Sequence, residues 1–223
     1  MLDRGLDFVF NRPVPRKVKT VARRSPQQKR AADTVEVLLD ATEIELARRG
    51  FHKTTTNHIA QAAGVSIGTL YHYFPTKEAL VAAVVERLWR GEVEAFARTA
   101  PAFADKPLRE AIHDALRALC EHVASKSEVY RSWYVEASQL GDLGAGLAMS
   151  GQATAFVRAA LEAAGPQVRV RDVGFASDLV VKTSLAMIRT GARDYEGALK
   201  DGTLARELAD MIARYLLVDG SPP

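Results

Sequence analysis

Residues 62–80 read AAGVSIGTLYHYFPTKEAL. The stretch holds a helix end, a three-residue turn, a very short helix and the start of another. Upstream, the run Asn57-His58-Ile59-Ala60-Gln61-Ala62-Ala63 puts Ile59, Ala60 and Ala63 on one helix side at three- and four-residue spacing. Thr56 is expected to cap that helix, its hydroxyl accepting from a free N–H of the first turn. Gly64 stands where a helix ends through a left-handed residue, which costs glycine nothing. Val65 supplies an apolar contact and Ser66 caps the next helix. Two helices joined by a tight glycine-containing turn make a helix-turn-helix.

The second helix, about Ile67 to Tyr73, has only two turns and is too short to stand alone. Leu70 and Phe74, four apart, anchor one face in a core. Ile67, Gly68, Thr69, Tyr71, His72 and Tyr73 then divide between surface and partner. Pro75 stops the helix, Thr76 caps a third, and Lys77 and Glu78 open it. A helix start offers unpaired N–H groups and a positive dipole end, both of which favour a phosphate. A lysine is otherwise misplaced there. An exposed short helix beside such a start suits the major groove of DNA, whose base edges carry a distinguishable code.

The run TTTNHIAQAAGVSIGTLYHYFPTKEAL, with the helix before it, resembles the DNA-binding segment of TetR-type (tetracycline-repressor-like) transcriptional regulators over roughly residues 33–90. The AGVS turn, the G-T-L-Y core, the aromatic-Phe pair and the Lys after the Pro carry the resemblance. It implies an all-α fold: a three-helix DNA-binding domain followed by a helical ligand-binding and dimerisation domain. Residues matching the family's contact positions are Thr56, Asn57, Ser66, Ile67, Gly68, Thr69, Tyr71, His72, Tyr73 and Lys77. Gly68 lets backbone approach DNA closely, and Ile67 suits a thymine methyl. Thr69 and Tyr71 can donate to phosphates or bases. Tyr73 and Lys77 look like phosphate clamps. His72 either joins them or faces solvent. Phosphate contacts fix register while few side chains specify sequence. A symmetric dimer would read a palindromic operator.

Charge is unevenly placed along the 223 residues. Residues 1–30 carry nine Lys or Arg against two Asp, whereas the rest carries 21 basic and 25 acidic residues. The basic footprint of a DNA binder therefore sits mostly in residues 1–27, which lack periodicity and hold Pro13, Pro15 and Pro26. They read as a disordered arm: either a solvated tail, or a phosphate- or minor-groove-binding arm carrying Arg16, Lys17, Lys19, Arg23 and Arg24. The single Cys120 excludes an intramolecular disulfide and any multi-cysteine metal site, and fits a reducing cytoplasm. His113 and His122 fall on opposite helix faces and make no metal site. No apolar stretch approaches a membrane span, and the N-terminus does not read as a signal peptide.

Domains are expected at 28–76 for the helix-turn-helix unit and 77–223 for the regulatory part. The supporting helix, about Gln28 to Arg49, aligns Val35, Leu38, Leu39, Thr42 and Leu46, and Gly50 ends it. A fourth helix runs from Lys77 to about Ala97. Further helices are expected near 107–124, 128–138, 143–164, 173–194 and 203–217, with a loop over Tyr195–Gly202. The 173–194 helix is apolar on two sides, with Leu179, Thr183, Ala186 and Met187 beside Val180, Ser184 and Ile188. The last helix aligns Leu204, Leu208, Met211, Ile212, Tyr215 and Leu216. Two apolar sides mean packing within the monomer or, as the resemblance implies, a homodimer through a four-helix bundle of these two helices and their copies.

The resemblance also implies a small-molecule effector held by the C-terminal helices. Aromatic or polar residues on otherwise apolar helices are the candidates: His113, Cys120, Tyr130, Trp133, Tyr134, Met149, Phe156 and Met187. No cofactor is implied. No P-loop, dinucleotide glycine pattern, nucleophile elbow or HExxH motif is present, so the chain does not read as an enzyme. The acidic body argues against a non-specific architectural DNA binder.

Overall fold

The computed structural model describes residues 26–137 and 144–218, with side chains over 30–132 and 150–218. The expected basic arm, as far as residue 25, lies outside the described residues. The described chain is mostly helical. The helices are α1 (Pro26–Lys53), α2 (Thr56–Ala63), α3 (Ile67–Tyr73), α4 (Lys77–Ala97), α5 (Ala102–Asp105), α6 (Leu108–Ser125), α7 (Ser127–Ala137), α8 (Gly144–Ala164), α9 (Val173–Asp194), α10 (Glu196–Lys200) and α11 (Thr203–Leu216). The expected loop over Tyr195–Gly202 contains the short α10, whose Leu199 is buried. Its five residues are too few for a periodic signal, and tertiary packing holds them. The only extended pairing among the described residues is an isolated bridge between Val168 and Leu217.

Two compact units divide the described residues: 26–88 with 131–137, and 89–130 with 144–218. The division falls inside α4, so the first three turns of that helix belong with the helix-turn-helix.

In the first unit, Leu38, Ala41, Ile59, Ala60, Leu70 and Leu80 form one buried cluster. Ala63, Val65, Tyr73 and Phe74 pack against it half-buried. Leu70 is fully buried, worth about 2 kcal/mol of apolar transfer, and that anchor holds the two-turn α3 in place. Glycine ends the helices as expected. Gly50 (φ 74°) breaks the α1 backbone before a last short turn, and Gly64 (φ 66°) closes α2, its N–H donating to Ala60 and Gln61 carbonyls.

Arg87 of α4 ties α1 down. Its guanidinium reaches Glu43, Asp40 at 2.8 Å and Glu36 at 3.2 Å. Burial works to lower the Arg87 pKa, but hydrogen bonds and charge from Glu43 and Asp40 outweigh it and hold the group raised.

In the second unit α6 buries one stripe at helical spacing: Leu108, Ala111, Ile112, Ala115, Leu116, Leu119, Cys120 and Val123. It packs along α11, whose inward face is Leu204, Ala205, Leu208, Ala209, Ile212, Ala213 and Leu216. Met211, expected on that face, is instead half exposed. A helix repeats every 3.6 residues, so Met211 lies beside the stripe. The α9 helix packs on α6, α8, α10 and α11 through Ala176, Val180, Val181, Ser184, Ile188 and Ala192. Its other side leaves Phe175 and Leu179 exposed.

Candidate nucleic-acid interface and ligand cavity

The three threonines before α2 do three different things. Thr54 is buried, donating to the carbonyls of Gly50 at 2.8 Å and Glu45 at 3.1 Å. Thr55 caps α2, its hydroxyl accepting from His58 N–H at 3.2 Å. This corrects the expectation that Thr56 is the cap. Thr56 is the first helical residue, and its hydroxyl lies 3.1 Å from that of Tyr71 in a hydrogen bond across to α3. Any of three adjacent threonines satisfies the capping rule, and backbone conformation chooses among them: Thr55 is extended (φ −122°, ψ 157°).

The short α3 is capped as expected. Ser66 Oγ accepts from Thr69 N–H at 3.0 Å and lies 2.8 Å from the Thr69 hydroxyl. Leu70 faces inward, while Ile67, Gly68, Tyr71 and His72 are exposed. A Cβ at Gly68 would meet nothing closer than Ser66 Oγ at 3.8 Å, so the helix presents open backbone there. Tyr73 is half-buried on the core, with the His72 ring edge-on at 5.1 Å. Asn57 is exposed in the first turn of α2. α3 carries no acidic residue.

Thr76 caps α4, accepting from Ala79 N–H at 3.1 Å. The ammonium of Lys77 turns back to α1: it donates to the Phe51 carbonyl at 3.0 Å and sits 4.0 Å from the Phe51 ring centroid. Two of its three donors are not used by that bond. Lys77 thus staples the end of α1 to the start of α4, a contact across 26 residues of sequence that no local pattern reveals.

The second unit holds an apolar cavity of about 100 Å³, lined by α4, α6, α8, α9 and α11 with Phe103 of α5. Aliphatic side chains such as Ile112, Leu116, Leu119, Val157 and Val181 form most of the wall. Glu92, Arg189, Trp89, Ser150, Gln152 and Ser184 supply its polar groups. Glu92 is buried and accepts from Tyr130 OH at 2.7 Å and from Arg189 Nε and Nη2 at 3.0 and 2.6 Å. The Arg189 guanidinium also lies over the Trp89 ring, 5.3 Å from its centroid.

None of the described sequence-based effector candidates lines this cavity. Tyr130 backs it by holding Glu92. Phe156 packs edge-on against Phe96 and Phe103, each at 5.2 Å, and those two rings form the wall. Met187 is half-buried away from the lining. Cys120 is buried in the α6 stripe, and burial, with help from Glu121, pushes its thiol up to about 12. His113 lies in a shallow polar groove with Asp114, Arg109 and Asp210. The side chains of Trp133, Tyr134 and Met149 lie outside the described residues. Glu92 and Arg189 carried a usable signal, since each is a charge on an otherwise apolar helix face.

A family model described as bacterial regulatory proteins, tetR family, matches residues 38–84, and one described as tetracyclin repressor-like, C-terminal domain, matches 107–216. The chain belongs to the TetR family. Its first matched segment holds α2, α3 and the Lys77 staple, and its second holds most of the cavity wall. Among curated TetR-family relatives, the HTH-type transcriptional regulator RutR of Escherichia coli K12 is 34% identical over 126 residues, 55% of this chain and 51% of RutR. The chain thus matches about half the length of that relative. A TetR-family structure from Mesorhizobium loti superposes with a TM-score of 0.64 at 18% identity, covering 85% of this chain and 99% of that one. NalD of Pseudomonas aeruginosa superposes at 0.62 and 17%, with the same coverage. Among the described residues no helix is long and apolar enough to cross a membrane.

Proposed function

We propose that this chain is a sequence-specific DNA-binding regulator of transcription, acting in the cytoplasm as a dimeric repressor that a small molecule releases from a palindromic operator. The observation that carries the reading is the outward face of α3. Leu70 and Phe74 seat that helix, leaving Ile67, Gly68, Tyr71 and His72 exposed on a helix that carries no acidic residue. Such a face meets base edges in the major groove, while Thr56, Asn57, Ser66, Thr69, Tyr73 and Lys77 border it.

Homodimerisation is supported by the exposed apolar side chains of the last two long helices: Phe175 and Leu179 on α9, Met211 on α11 and Val218 just beyond it. Paired with their copies, these helices would bury that surface in a four-helix bundle. The cavity in the second unit is the effector site of this reading. A ligand there releases DNA only if it prefers the conformation that fits DNA poorly.

Selection of bound fragments from the source genome by purified protein at near-physiological salt tests the reading. A sharp palindromic motif is the expected result. Diffuse binding that follows charge alone would contradict it.

A further inference from the structure

Resting on the reading of α3 as the helix that meets base edges, we propose that Ile67 recognises a thymine in each half-site through the base's C5-methyl group, with Gly68 clearing the approach. Ile67 is 39% exposed, so part of a branched apolar side chain stands outside the core. Tyr71, four residues on and therefore on the same side of the helix, is 50% exposed. Its hydroxyl is tied to that of Thr56. Gly68, next to Ile67, is exposed as well. A Cβ there would meet nothing nearer than Ser66 Oγ at 3.8 Å, and the residue is helical, where alanine is the better former. Packing within the chain therefore does not account for the missing side chain. A surface outside the chain that comes close to the backbone does.

The composition of α3 says what that surface must offer. The helix reads Ile67-Gly68-Thr69-Leu70-Tyr71-His72-Tyr73 and holds no Arg, Lys, Asn, Gln, Asp or Glu. The paired hydrogen bonds by which Arg or Lys reads guanine, and Asn or Gln reads adenine, cannot come from it. Its hydroxyls and His72 can make single hydrogen bonds, which carry less discrimination than a matched pair. The apolar group on a base edge in the major groove is the thymine methyl, and an exposed isoleucine is its match.

The test uses the full chain and the site that it selects from genomic fragments. Each thymine of the half-site is replaced in turn by deoxyuridine, which removes the methyl group and leaves base pairing intact. At one position the replacement should weaken binding by about fourfold, the worth of one methyl group taken out of water. In Ile67→Ala that penalty should disappear, while binding to the unmodified site falls by a similar factor. Gly68→Ala should melt no lower than the unmodified chain and yet bind the site severalfold more weakly. A selected site indifferent to every uracil would overturn the proposal. So would a penalty that persists in Ile67→Ala, or a Gly68→Ala protein that binds as tightly as the unmodified chain. Those three results would leave the regulator reading standing. Failure to select any site would overturn that reading, and this proposal with it.

Discussion

The hydroxyls of Thr56 and Tyr71 lie 3.1 Å apart, joining the first residue of α2 to the exposed face of α3. The bond fixes the direction of a half-exposed ring. Thr56→Val keeps the shape and removes the hydroxyl. An exposed hydrogen bond of this kind contributes little net stability, so unfolding should shift by no more than about 0.5 kcal/mol. Affinity for the selected DNA should nevertheless fall severalfold as the ring loses its orientation. Denaturant melts and DNA titration on one preparation check both statements.

Lys77 gives a different balance. Lys77→Met preserves much of the side-chain stem but loses the bond to the Phe51 carbonyl and the charge over the Phe51 ring. The expected cost is about 1 kcal/mol, from one part-buried hydrogen bond and one cation–π contact. A lysine acting on phosphate alone would leave the stability of the free protein unchanged. Thermal unfolding without DNA separates the two roles.

Arg87 engages three carboxylates, Glu43, Asp40 and Glu36, with one guanidinium. Asp40 and Glu36 are exposed, so their share is small. Glu43 is buried, and losing its arginine is costly. Arg87→Leu should destabilise this unit by about 2 kcal/mol, while Glu36→Gln should cost under about 0.5 kcal/mol. Denaturant midpoints with unchanged slope would show it.

The Cys120 thiol is held protonated by burial and lies within the α6 stripe. A thiol raised to about 12 is not a thiolate at neutral pH, so it is a poor nucleophile. Native protein should resist thiol reagents from neutral pH to about pH 10, and denatured protein should react at once. Rapid labelling of native protein near neutrality would reopen a redox role.

Local chemistry explains what was readable in the sequence. The Ser66 and Thr76 caps, the Gly64 terminus and the Leu70 and Phe74 anchors are all set within four residues, and each stands where its spacing predicts. The long helices follow from apolar periodicity for the same reason. The Lys77–Phe51, Arg87–Glu43 and Glu92–Arg189 contacts join residues 26, 44 and 97 positions apart, and no local pattern announces them. The cavity was illegible for a related reason. Bulky aromatics draw the eye in a sequence, but Phe156 and Tyr130 fill space, and the void lies where mostly aliphatic side chains stop short of one another.

The central claim is that the exposed face of α3 reads DNA. Titration of the selected site with Tyr71→Ala, at fixed salt and with helicity checked by circular dichroism, tests it most directly. Tyr71 is half exposed, so the fold should stand while affinity falls by about tenfold or more, as for loss of one specific base or phosphate contact. Unchanged affinity in a folded Tyr71→Ala protein would contradict the account.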